Sequence, residues 1–221
     1  MKISTPVYGG QVIGQALVAA FHCYFIRAGD ESRPILYQVD PVRDGRSFCT
    51  RFVKAIQDGE AILTSELSFH KGGTAQRHPS GPHASSPYLY PLLLKKTCAP
   101  ESWLRLKTSQ PKNLVWVKAK DKIGDDFRLK HCAAAFFSDS AMMGTALNPH
   151  MADGFVPSMM FSLDHSIWIH RYKFRLDDGT LDETDSPVSA SSRTLIHGRL
   201  WTRDGDLVLS AAQEALIGSK H

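Results

Sequence analysis

Two stretches of the chain repeat one pattern. In each, a run of alternating residues leads into an Asp-Gly pair and a second alternating run leads out. The first comprises Phe48–Gln57, Asp58-Gly59 and Ala61–Phe69; the second comprises Ser189–Thr202, Arg203-Asp204-Gly205-Asp206 and Leu207–Ile217. Alternation with a period of two marks strands with one buried face, and Asp-Gly between them signals a hairpin. Aligning Gly59 with Gly205 sets Ala61, Leu63, Ser65 and Leu67 against Leu207, Leu209, Ala211 and Gln213. A helix and a strand precede each hairpin. Gly9–Ala20 has helical spacing of Val12, Ala16, Ala19 and Ala20, with Ile13 and Leu17 beside them, and His22–Arg27 and Ile35–Val42 are strand-like. In the second half, Leu114–Lys120 and Leu163–Arg171 are strand-like, and Leu129–Leu147, rich in Ala, Phe and Met, predicts one long buried helix. A helix wrapped by an antiparallel sheet, twice over, is an α+β double domain.

The length suits that reading, since 221 residues suffice for one large domain or two small ones. Hydrophobic residues at 43% and charged residues at 22% give the balance of a globular protein. No apolar run approaches the ~18–20 residues needed to span a bilayer, so no membrane span is expected. Met1–Pro6 lacks the apolar core of a secretory signal. Lys71–Pro91 is dense in Gly and Pro and reads as linker, which divides the chain into residues 1–70, a linker over 71–110, and residues 111–221. Cys23, Cys49, Cys98 and Cys132 form no C-x-x-C pair, so reduced thiols are expected rather than a zinc ribbon. His165 and His170 are five apart and fall on opposite faces of a strand, so no metal site is expected there. Neither a G-x-S-x-G elbow nor a Walker loop is present.

The net charge of +4 is uneven: Lys95–Lys130 holds ten Lys or Arg against four Asp or Glu. Such a stretch attracts phosphorylated small molecules, nucleic acid or an anionic membrane. No aromatic-basic recognition motif accompanies it, so a nucleic-acid partner is not expected.

The repeat is broken at polar positions. Leu207, Leu209, Ala211, Gln213, Ala215 and Ile217 share one strand face, and only Gln213 is polar. A buried amide without partners costs ~1–3 kcal/mol, which the first half avoids with Leu67. Asp164 lies in Ser162-Leu163-Asp164-His165-Ser166-Ile167-Trp168, a strand context that Asp disfavours, and its first-half counterpart is read as His22. Asp164 and His165 are adjacent, so their side chains diverge and no Ser-His-Asp triad is expected on them. Ser186 precedes Pro187, which biases its backbone to an extended form.

Several of these segments resemble one family. Tyr8–Ala20 (Tyr-Gly-Gly-Gln-Val-Ile-Gly-Gln-Ala-Leu-Val-Ala-Ala) and His22–Asp30 are similar to the first half of the acyl-CoA thioesterase II family; Leu163–Trp168, His197–Trp201 and Gln213-Glu214 are similar to its second half. The resemblance implies a double hot-dog fold and hydrolysis of acyl-CoA to a free acid and CoA. It also implies water activated by an Asp, a Ser or Thr, and a Gln, here assigned to Asp164, Ser186 and Gln213. On that assignment Asp164 is the base or water-orienting group, and Asp164→Asn abolishes hydrolysis. The resemblance implies no cofactor and no covalent acyl-enzyme. The basic stretch is then a candidate for the CoA phosphates.

Against the family the chain is short. Eight residues precede Gly9, only Phe21 separates the helix from His22, and Lys71–Gln110 does not match, so the first hot dog is expected to be truncated. A damaged half would favour assembly into a homo-oligomer. Two further readings of the same fold are an impaired homologue that binds acyl-CoA without hydrolysing it, and a hot-dog enoyl-CoA hydratase. Ser219-Lys220-His221 resembles the peroxisomal address Ser-Lys-Leu, which implies an import receptor as partner and a peroxisomal location, with the cytoplasm as the alternative.

Overall fold

The computed structural model describes residues 20–70, 92–93, 111–119, 122–140 and 142–219. The predicted helix Gly9–Ala20 lies outside these, except that Ala20 opens a strand. The predicted linker, apart from Leu92–Leu93, and half of the basic stretch lie outside them as well.

The first hairpin forms as its sequence predicts. Strand β3 (Phe48–Gln57) turns into β4 (Glu60–His70), and Asp58 and Gly59 take left-handed φ of 52° and 81°, as a type I′ turn requires. Strand β2 (Leu36–Asp44) pairs with β3, and β1 (Ala20–Phe25) pairs with the other side of β4. Among the described residues, Phe21, Cys23, Val53, Ala55, Ile62, Leu63 and Leu67 are the buried apolar residues of this half.

The second half keeps the predicted helix and differs from the sequence reading in its strands. The predicted helix Leu129–Leu147 is helical at all its described residues, as α1 (Phe127–Ser140) and α2 (Met142–Ala152) on either side of Ala141, which lies outside them. Asp126 caps α1, its carboxylate accepting the Arg128 backbone N–H at 2.9 Å. The predicted strand Ser189–Thr202 is interrupted by a turn at Ser191-Ser192, both at positive φ. Its first residues end strand β9 (Thr180–Ala190), and the rest is β10 (Arg193–Thr202). Strand β9 escaped the sequence reading because its inward residues are Thr180, Asp182, Thr184 and Ser186, which give no apolar alternation. The predicted Leu163–Arg171 is strand β8 (Asp164–Ile169), and β7 (Pro157–Ser162) runs up to it through a bend at Leu163.

Strand β11 (Leu207–Ser219) completes the hairpin with β10, and β6 (Lys112–Lys118) pairs with β9. With the short β5 (Leu92–Leu93), the strands form one eleven-stranded sheet in the order β2-β3-β4-β1-β8-β11-β10-β9-β6-β5, and β7 pairs with β11 beside β8. Among the described residues every pairing is antiparallel except β5 with β6. The two halves meet at β1 and β8, where His22 and Ser166 are hydrogen-bonded at 3.0 Å.

The helices contribute Ala134, Ala135, Phe137, Met142, Ala146 and Leu147 to the core, with Ile196, Leu200, Leu209, Ala211 and Ala215 from the sheet. Gly198 permits their close approach: a Cβ there would lie 3.3 Å from Met142 Cε and 3.6 Å from Ala211 Cβ.

The ladders correct one correspondence. Strand β1 pairs with β4 so that Phe21 faces Leu67. Strand β8 pairs with β11 from Leu209↔Ile169 to Ala212↔Ser166, and one further step places His165 across from Gln213. His165 therefore corresponds to Phe21, and Asp164 to Ala20 rather than to His22. An apolar facing pair in one half is a polar facing pair in the other.

Asp182 is a second polar residue of this core. It is 2% exposed, Val115 and Leu200 flank it on the neighbouring strands, and its Oδ2 accepts no hydrogen bond among the described residues. Burial, with the nearby Glu183 charge, pushes its pKa up to about 8. The unfolded chain ionises this carboxyl near its ordinary value while the folded chain holds the proton, so stability falls as pH rises through that window. Asp182→Asn should therefore raise the melting temperature at pH 7.5 by roughly 5–10 °C and at pH 4 by much less, as followed by thermal melts at the two pH values.

Candidate active site

Gln213 occupies an inward position of β11 between Ala211 and Ala215, and it is 0% exposed. Its Nε2 donates to Asp139 Oδ1 at 2.8 Å and to Ser162 Oγ at 2.5 Å. Asp139 stands in the last turn of α1 and is 4% exposed; Ser162 ends β7 and pairs with Ala215. Three elements thus place a carboxylate, a hydroxyl and an amide around one point. Both amide hydrogens are engaged, so the carboxamide orientation is fixed, and Oε1 takes part in neither bond. Oε1 is buried and accepts no hydrogen bond from any described residue.

The residue before Asp139 holds a second polar group. Ser138 Oγ donates to Ala135 O at 2.8 Å and lies 3.0 Å from His165 Nε2. Because the serine proton is engaged, His165 donates through Nε2–H, which leaves Nδ1 as an acceptor. Burial lowers the His165 pKa and outweighs the opposing pull of the Asp139 and Asp164 carboxylates, so the imidazole is neutral at pH 7. Its Nδ1 is buried and accepts no hydrogen bond from a described residue. Cys23 faces His165 across the β1–β8 ladder, and burial pushes its thiol pKa well up, so it is uncharged.

Of the three residues assigned from sequence, only Gln213 belongs to this cluster. Asp164 turns away from His165, as their adjacency predicts. Its Oδ1 accepts the Glu214 backbone N–H at 2.6 Å, while Leu163 N–H donates to Glu214 O at 2.8 Å. The carboxylate therefore replaces a ladder carbonyl at the bend between β7 and β8. Ser186 is buried at a bulge of β9, where its Oγ donates to Leu195 O at 2.9 Å and lies 3.0 Å from Thr194 Oγ1. Ile196 stands between Ser186 and Gln213, a separation of two strand spacings, or about 10 Å.

Asp139 and Ser162 were missed in the sequence. The signal for Asp139 was a lone carboxylate in an otherwise apolar helix, Ala-Phe-Phe-Ser-Asp-Ser-Ala-Met-Met. Ser162 lay two residues before the Asp-His-Ser motif with nothing in its own neighbourhood to single it out. Chemically, the cluster offers a base in a nearly dry setting, an oriented amide and a hydroxyl that keeps its own proton.

Comparison with known proteins agrees with the family resemblance. The family model described as acyl-CoA thioesterase matches residues 99–216, and that of the acyl-CoA thioesterase N-terminal domain matches residues 1–70. Acyl-coenzyme A thioesterase 8 of Rattus norvegicus is 39% identical over 263 residues, covering 98% of this chain and 82% of its own length. That alignment is longer than the 221 residues here, so the rat protein has internal residues that this chain lacks. The crystal structure of an acyl-CoA thioesterase II from Mycobacterium marinum superposes with a TM-score of 0.83 at 32% identity, covering 97% of this chain and 90% of that one. A hot-dog-fold protein of Alicyclobacillus acidocaldarius, at 14% identity and TM-score 0.73 with 98% and 89% coverage, shares the fold alone. The architecture is a double hot dog, and the chain belongs to the acyl-CoA thioesterase II family.

Proposed function

We propose that the protein hydrolyses fatty acyl-CoA to a free fatty acid and CoA, with water activated by Asp139, Gln213 and Ser162. The observation that carries the site assignment is the single carboxamide bonded at once to a buried carboxylate and a half-buried hydroxyl. The family resemblance assigns these roles to Asp164, Ser186 and Gln213; the present reading keeps Gln213 and takes the carboxylate and hydroxyl bonded to it, Asp139 and Ser162, in place of the other two.

Water is a poor nucleophile until a base takes its proton. Asp139 is the base. Gln213 Oε1 accepts the second water hydrogen, which aims a lone pair at the thioester carbonyl carbon. Ser162 gives its proton in a hydrogen bond to the carbonyl oxygen as negative charge develops there. The water oxygen bonds to carbon, the carbon–sulfur bond breaks, and the proton held by Asp139 passes to the departing sulfur. Asp164 and Ser186 act on structure: one closes the bend that delivers Ser162, and the other ties β9 to β10.

A free-thiol assay with palmitoyl-CoA tests this. Asp139→Asn and Gln213→Leu should each lower kcat/KM by about 10²–10⁴-fold, while Asp164→Asn stays within a few-fold of wild type. A loss in Asp164→Asn as deep as in Asp139→Asn would return the base to Asp164. Acyl-CoA binding without thiol release by the wild-type protein would overturn hydrolysis itself.

A peroxisomal location is the companion proposal, supported by Ser219-Lys220-His221 as a ligand for an import receptor. A fluorescent protein ending in these three residues should collect in peroxisomes. Diffuse cytosolic signal would count against it.

A further inference from the structure

Two of the buried acceptors that have no donor among the described residues stand on neighbouring strands: Gln213 Oε1 and His165 Nδ1. They are not independent. The β8–β11 register sets His165 across from Gln213, both are 0% exposed, and both point to the helix side of the sheet. Consecutive residues of α1 hold them, Ser138 on His165 and Asp139 on Gln213. Directly opposed inward side chains have Cβ atoms about 5 Å apart. A group that answers both atoms must donate twice and be small and neutral, which describes a water molecule.

We propose that His165 is a positioning residue for hydrolysis: with Gln213 it holds a buried water that donates one hydrogen to His165 Nδ1 and one to Gln213 Oε1. The inference rests on the reading of Gln213 as part of the water-activating set. The carboxamide oxygen has two lone pairs, one for this bridging water and one for the attacking water. The bridge holds the carboxamide at its oxygen, as Asp139 and Ser162 hold it at its nitrogen. The first half shows the alternative, since Phe21 and Leu67 at the equivalent positions need no solvent and orient nothing.

Two substitutions in the full chain separate positioning from packing. His165→Phe copies the Phe21 arrangement and keeps the core filled; His165→Asn shrinks the side chain but keeps an acceptor near the place of Nδ1. Positioning predicts that His165→Phe stays folded and loses about tenfold or more in kcat with little change in KM, and that His165→Asn is less stable yet keeps the higher kcat of the two. A purely structural role predicts the reverse order, and that order, or wild-type kcat in His165→Phe, would overturn the proposal. A high-resolution crystal structure should show one ordered water within hydrogen-bond distance of both atoms; a protein donor on either atom instead would also overturn it. If the wild-type protein releases no thiol, the activity reading fails, and the bridging water is then judged by the crystal structure alone.

Discussion

The Gln213 carboxamide is the point on which the second half is organised. Buried in an apolar strand, it would destabilise the fold by about 1–3 kcal/mol if its hydrogens lacked partners. The partners come from two other elements, Asp139 at the end of α1 and Ser162 at the end of β7. Each of those ends is therefore held in place: α1 must run as far as Asp139 on the inner side of the sheet, and β7 must stop beside Ala215. The bend at Leu163 follows from the same requirement. There the chain gives up a regular ladder bond, and the Asp164 carboxylate takes the Glu214 N–H in its place.

The repeat makes the arrangement easier to interpret. The same ladder register places Phe21 against Leu67 in one half and His165 against Gln213 in the other. The apolar pair is self-sufficient. The polar pair is stable only with Ser138 and Asp139 behind it, so the polarity of the sheet and that of the helix are parts of one feature. A core of this kind has a definite orientation for each side chain, because hydrogen bonds are directional where apolar contacts are not.

Much of the fold was legible because alternation and Asp-Gly turns report directly on strands with one apolar face. Strands β3, β4 and β11 were readable for that reason. Strand β9 was not, because its inward face carries Thr180, Asp182, Thr184 and Ser186, and its polarity is satisfied or tolerated only in the folded core. At the site, Gln213 stood out because a polar residue interrupted an apolar face. Asp164 stood out for the same kind of reason, and its Oδ1 accepts the Glu214 backbone N–H. Asp139 and Ser162 come from segments far from Gln213 in sequence, and only the fold brings them to it.

The seam between β1 and β8 bears on how the chain folds. These central strands come from opposite halves, and the His22–Ser166 bond joins residues 144 apart in sequence. Contacts of such separation form only after a long loop has closed, which slows folding relative to chains built from local contacts. Until the seam forms, β1 and β8 each present an unpaired edge to solvent. That interval is when a newly made chain is most exposed to pairing with another copy instead of with itself.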